Sequence, residues 1–226
     1  MTAVRPLFEY ASTHPGAKKA VIGWIHSTDK AVDFQGLSAV IVSMESSLDV
    51  PKGILKLADI KSLFGRALEI EPKIAELMSS DPLASGEILD RASRETSDKI
   101  INALESGFDG FVYLLMGAEP SLLSPMQYGG FILEQDQDLL NQFNHVENRL
   151  IFVVGDEETY LDALSDLPAS AIGWDENRMG FGIETMRKLA HKPIFANHPD
   201  SDIDLTHFGT NALSGDNAMA KESHQS

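Results

Sequence analysis

Residues 85–115, SGEILDRASRETSDKIINALESGFDGFVYLL, decide the fold class. Ile88, Leu89, Ala92, Ile100, Ile101 and Leu104 recur at helical spacing and form one apolar stripe, and Gly107 supplies the C-terminal stop. Directly afterwards DGFVYLL runs apolar and aromatic without polar alternation. A strand of that kind is buried on both faces, the condition of a parallel sheet covered by helices.

The same order repeats downstream. A helix is expected over about residues 124–144, a strand over 149–154, a helix over 157–167, a strand over 170–174, a helix over 182–190 and a strand over 193–196. Upstream, AVIGWIH at 20–26 reads as a first buried strand running into the polar Ser27-Thr28-Asp29. Residues 37–48 are ambiguous, because AVIV is β-branched while the following Met-Glu-Ser-Ser suits a helix end; the balance goes to helix. Between Lys52 and Met78, apolar residues at spacings of three and four, interrupted by Pro72, predict two helices or one broken helix. Residues 1–19 form a lead-in with at most one short helix. After Pro199 the chain turns to Asp, Ser, Thr, Asn, Gly and His, and 200–226 is expected to be a disordered tail behind a single α/β domain over 1–199.

Strands alternating with helices at this spacing specify βαβ units, whose right-handed crossovers build a barrel or an open doubly wound sheet. Five strands are counted. A closed eight-stranded barrel takes about 250 residues, against 226 here, of which lead-in and tail leave roughly 180 by the same reckoning. The expected architecture is therefore α/β, with parallel strands alternating with helices in a partial or shortened TIM-type barrel.

Composition narrows the function classes. Eighteen basic against thirty-four acidic side chains give a formal net charge of −16, the wrong sign for a protein that condenses on phosphate backbones. Cysteine is absent, which removes disulfides, thiolate metal sites and cysteine nucleophiles, and together with the lack of a secretory leader points to a reducing cytoplasm. The longest apolar runs are too short to cross a bilayer as a helix. No phosphate loop, metal-histidine spacing or serine-nucleophile elbow is present.

In parallel α/β folds ligands sit beyond the carboxyl ends of the strands. That rule selects His26, then Met116 and Gly117, then Asp156, then Trp174, Asp175 and Arg178, then Asn197 with His198. Each has a plainer role as well. His26 can be a hydrogen-bonded strand-end histidine, and Asp156 can cap the helix expected from Glu157. Trp174 can be packing, and Arg178 can pair with Glu176 or Glu184 at the surface. Trp24, Tyr113, Met116, Trp174 and Met179 would together suit a flat or methylated ligand, although such sets are more often ordinary core.

Four segments carry a likeness beyond pattern: ESGFDGFVYLLMGAEPSLLSPMQYGGF, RLIFVVGD, ASAIGWDENR and KPIFANHP. In order and spacing they resemble the second half of the uroporphyrinogen decarboxylase superfamily over about residues 83–199. The resemblance implies a (β/α)8-type barrel and cofactor-free decarboxylation of a tetrapyrrole or smaller carboxylated substrate. In that chemistry Asp156 or Asp175 would stabilise a ring cation and His26 would shuttle a proton, while Trp24, Tyr113, Met116, Gly117, Trp174, Arg178 and Asn197 would contact substrate. The departures are specific. The family's paired arginines around Gln-Ala-Gly are reduced to Arg5-Pro6, and its substrate-contacting serine falls near Met116. The zinc ligands of the methyltransferase branch fall on Phe152 and Val154, and with no Cys a thiolate zinc site cannot be made. The nearest match is the uncharacterised branch, at Trp174-Asp175-Glu176-Asn177-Arg178. No cofactor or metal is expected. The competing readings are a relative that has lost the chemistry and binds a ligand or a barrel-completing partner, a second copy included, and a corrinoid-linked methyltransferase relative without the thiolate zinc.

Overall fold

The computed structural model describes residues 22–25, 34–35, 37–180, 182, 185–186, 188 and 192–196. Its strands are β1 (Ile22–Ile25), β2 (Ala39–Val42), β3 (Leu55–Lys61), β4 (Gly110–Leu115), β5 (Asn148–Val153), β6 (Ala171–Trp174) and β7 (Ile194–Ala196). They pair in chain order, β1 to β7, and every pair is parallel. The helices are α1 (Leu63–Ile70), α2 (Ile74–Ser80), α3 (Pro82–Glu105), α4 (Pro125–Gln127), α5 (Glu134–Gln142), α6 (Leu161–Leu164) and α7 (Glu176–Met179), with a π-helical turn, Tyr128–Leu133, joining α4 to α5.

Two expectations are corrected. Residues 39–42 form a strand rather than part of a helix, because the β-branched AVIV fills a site between β1 and β3 that is closed on both faces. The helical reading of 52–78 holds only from Leu63 on, since residues 55–61 are β3. Leu57, Ala58 and Ile60 of β3 are all buried, Leu57 on one face and the other two on the opposite face. A strand buried on both sides loses its period of two, and its apolar spacing then imitates a helix. The strand count rises from five to seven. The helix expected over 157–167 is shorter, α6 alone, and the helix over 182–190 and the tail over 200–226 fall largely or wholly outside the described residues.

The register sorts side chains onto two faces. Trp24, Ile41 and Leu57 share one row; Asp59, Val112, Leu150 and Ala171 share the next; Lys61, Leu114, Phe152, Gly173 and Phe195 the third. Trp24 meets Phe152 edge to face with ring centroids 5.3 Å apart. In a flat sheet β1 and β5 would lie about 19 Å apart, so these rows line the concave side of a curled sheet. Phe152 also packs against Phe195. Gly173 leaves the space for it, since a Cβ there would come within 2.2 Å of the Phe195 ring.

The convex rows, among them Ala58 with Phe111 and Ile60 with Tyr113 and Ile151, face the helices. Helix α3 lays Leu89, Ala92, Thr96, Ile100 and Ala103 into this layer, and Asp81 caps its start by accepting from Ala84 N at 3.1 Å. Tyr113 pins the layers together: its hydroxyl accepts the Leu63 N–H at 2.7 Å and donates to Asp136 of α5. At the opposite end of the sheet the buried Arg149 guanidinium donates to the carbonyls of Pro168, Phe143 and Val146 and to Asn144 Oδ1, closing the amino ends of β5 and β6.

Candidate functional site at the strand ends

The chain leaves β4 through Gly117, whose φ of +93° excludes side chains and whose missing Cβ gives room to the Phe64 ring. Leu122 and Leu123 then donate their N–H groups to Glu119 O, a tight turn that fixes Glu119 over the end of β4. The neighbouring β5 exit is tied to it, because Tyr160 N–H donates to Ala118 O at 2.7 Å and Tyr160 Oη to Leu123 O at 2.8 Å. Thr159 Oγ1 donates to Asp156 O and accepts from Asp156 N, and it fills the space a side chain at Gly155 would need.

Glu119 is 5% exposed, and its Oε2 has no hydrogen-bond partner among the described residues. Burial, reinforced by the Asp156 carboxylate and opposed by Arg178, pushes its carboxyl up to about 7. A carboxyl in that state is half protonated at neutral pH and able to give or take a proton. Sequence reasoning passed over Glu119 because it lies four residues beyond the strand in a loop; the available signal was an acid in a Gly-Ala-x-Pro turn at a strand end.

The residues singled out from sequence fall into three groups. Asp156 follows β5, and Asp175 and Arg178 follow β6; Asp156 and Arg178 both act on the Glu119 carboxyl. Asp156 Oδ1 accepts from Glu158 N at 3.0 Å, so it stabilises a turn, and the following helix begins only at Leu161. Arg178 is half-buried and is in no ion pair among the described residues. Tyr113 and Trp174 lie on the convex face and are fully buried. Met116 is also buried, its N–H held by Ser62 Oγ at 3.2 Å. Trp24 is concave but engaged with Phe152. His26 and Asn197 lie outside the described residues.

A second carboxyl sits on the concave face. Asp59 of β3 is raised to about 6, chiefly by burial, with Glu45 adding to the effect and Lys61 opposing it. Lys61 reaches outward to an ion pair with Glu69. Outside the sheet a groove of about 470 Å³ runs between the π turn and α6, floored by Tyr128 and Tyr160 and walled by Leu133 and Leu161. It contains none of the strand-end carboxylates.

A thiolate zinc centre does not fit these residues. Phe152 and Val154 are buried apolar groups of the sheet, and among the described residues no group of three or more His, Cys, Asp or Glu could hold a metal ion.

These features define a partial TIM-type parallel α/β barrel with an acidic strand-end cluster carrying one arginine. Among solved structures the chain is similar to a methyltransferase from Methanosarcina mazei, at 17% identity and a TM-score of 0.54, covering 67% of this chain and 46% of that one. A chitinase domain of the spore coat protein CotE from Clostridium difficile aligns at 13% identity and a TM-score of 0.39, over 75% of this chain and 52% of that one. The chain thus spans about half the length of the structures it matches. At such identity the likeness is one of fold. No protein-family model and no curated protein matches the chain. No helix among the described residues is long and apolar enough to cross a membrane.

Proposed function

We propose that the chain is a uroporphyrinogen decarboxylase-like protein that binds a carboxylated small molecule, tetrapyrrole or smaller, at the ends of β4, β5 and β6 and removes a carboxyl group without a cofactor. The observation that carries this reading is Glu119, a buried carboxyl that retains a proton near neutral pH, set between Asp156 and Arg178. Decarboxylation breaks a C–C bond, releases CO2 and leaves an electron pair that a proton must meet. In this reading Glu119 supplies that proton, Asp156 or Asp175 stabilises positive charge on an electron-rich ring, and Arg178 holds a carboxylate. Support from similarity is limited to the four sequence segments and a shared fold. Anaerobic incubation with uroporphyrinogen, followed by chromatography of the oxidised products, is expected to show species with fewer carboxyl groups. A folded protein that yields none belongs to the competing class of relatives that bind without reacting.

The fold neighbour favours a second reading, methyl transfer. It would have to proceed without thiolate-bound zinc, and transfer of a methyl group to a thiol acceptor in place of CO2 release would identify it. The proposal extends to a partner: among the described residues β1 and β7 are the sheet edges, and a second copy or another chain completing the barrel would appear as a mass above the monomer in sedimentation equilibrium.

A further inference from the structure

A chain of net charge −16 repels a carboxylated ligand, and among the described residues Arg178 is the cation that acts on Glu119. Yet a buried carboxyl stands beside it with one oxygen unpartnered. An ionised Glu119 next to Asp156 would add to the repulsion. A protonated one removes a negative charge and offers an O–H to an acceptor. We propose that Glu119, Asp156 and Arg178 form a proton-coupled carboxylate-binding site, in which the ligand carboxylate takes the Arg178 guanidinium while Glu119 takes a proton from solvent and donates its hydrogen bond to the ligand. This deepens the reading above and rests on it for the identity of the ligand class.

The groups that face Glu119 are few. Asp156 comes from the loop after β5, Arg178 from α7 and Ser121 from its own loop. An entering anion acts on Glu119 as Asp156 already does, disfavouring the ionised form, so binding and protonation reinforce each other. The carboxyl already lies at about 7, and a small further rise on binding completes its protonation at neutral pH. The turn carbonyl of Glu119 is occupied by Leu122 and Leu123, and Asp156 Oδ1 is held by Glu158 N. Glu119 Oε2, buried and without a hydrogen-bond partner among the described residues, is available to answer the ligand.

The test uses fumarate, a rigid dicarboxylate whose own charge is constant near neutrality, in isothermal titration calorimetry of the full chain. The affinity of the wild type is expected to fall about tenfold between about pH 6 and pH 8, and titration in two buffers of different ionisation heat should show net proton uptake. Glu119→Gln, an uncharged isostere that keeps a donor, should bind at every pH about as the wild type does in acid, with no uptake. Arg178→Gln should weaken binding at every pH. Binding that is equally tight at both ends of the range, without proton uptake, overturns the coupling and leaves the carboxylate site standing. Absence of fumarate binding by the folded wild type at any pH overturns the coupling together with the site. The uptake measurement needs no variant, so it decides even where Glu119→Gln does not fold.

Discussion

At the scale of single residues, the Tyr113 hydroxyl is the clearest case of one group serving three elements. It accepts from the first N–H of α1, donates to the buried Asp136 and is itself inaccessible on β4. Asp136 keeps its second oxygen unpartnered among the described residues, and burial raises its carboxyl to about 7. Tyr113→Phe removes only the oxygen yet leaves the Leu63 N–H and both Asp136 oxygens without partners, so a loss of about 2–4 kcal/mol is expected by urea denaturation. Asp136→Asn retains an acceptor for Tyr113 and carries no charge, and it should cost much less or stabilise at neutral pH. Gly117→Ala is expected to destabilise by about 1–3 kcal/mol, because φ is positive there and a Cβ would lie 2.7 Å from the Phe64 ring. None of these three roles was legible in the sequence. The strand-end rule could nominate Tyr113 and Trp174 as ligand contacts, but which face a residue occupies is set by register, and a run buried on both sides shows no alternation from which to read it.

Elements differ in how openly their sequences declared them. Helix α3 was plain because its stripe and the Gly107 stop are local signals, although it starts at Pro82 after Asp81, three residues before the expected Ser85. Asp81→Ala should cost about 1 kcal/mol of stability, with earlier loss of protection at Ala84 in hydrogen exchange. Strand β3 was hidden by its own burial, and β2 by the short polar segment that follows it. The π turn is a further element that no local signal announced. Ser124 and Gln127 form a capping box behind Pro125, and Gly129 and Gly130 then stand where an added Cβ meets nothing within 4 Å. Gly129→Ala is therefore expected to raise stability by about 0.5–1 kcal/mol. A fall instead would mean that the turn needs the freedom of glycine, as a functional hinge would.

For the whole molecule the distinctive feature is that three carboxyls, Asp59, Glu119 and Asp136, have raised values in the folded state, of about 6, 7 and 7. Each binds its proton more tightly folded than unfolded, so its contribution to stability is complete below the unfolded value near 4 and is lost as pH rises through the folded value. Each adds at most about 1.4 kcal/mol per pH unit to that slope. Glu69 and Glu45 are lowered and act in the opposite sense, but both are solvent-accessible and their contributions are screened. Stability is therefore expected to decline between about pH 4 and pH 7, measured as the urea midpoint, and Asp136→Asn should flatten part of that slope. A profile rising towards alkaline pH would show that the buried carboxyls do not titrate as their surroundings imply.

Taken by itself, the sequence determined the class: helices alternating with doubly buried strands, no cysteine and an acidic composition. These follow from local patterning and composition, which act along the chain. The tertiary structure decided that there are seven strands in sequential order, that Trp24 reaches Phe152 across a curled sheet, and that Glu119 stands with Asp156 and Arg178. Those outcomes depend on the register and curvature of strands far apart in the chain. The proton affinity of Glu119 depends on its burial and on charges brought from the loop after β5 and from α7, neither of which any stretch of sequence contains.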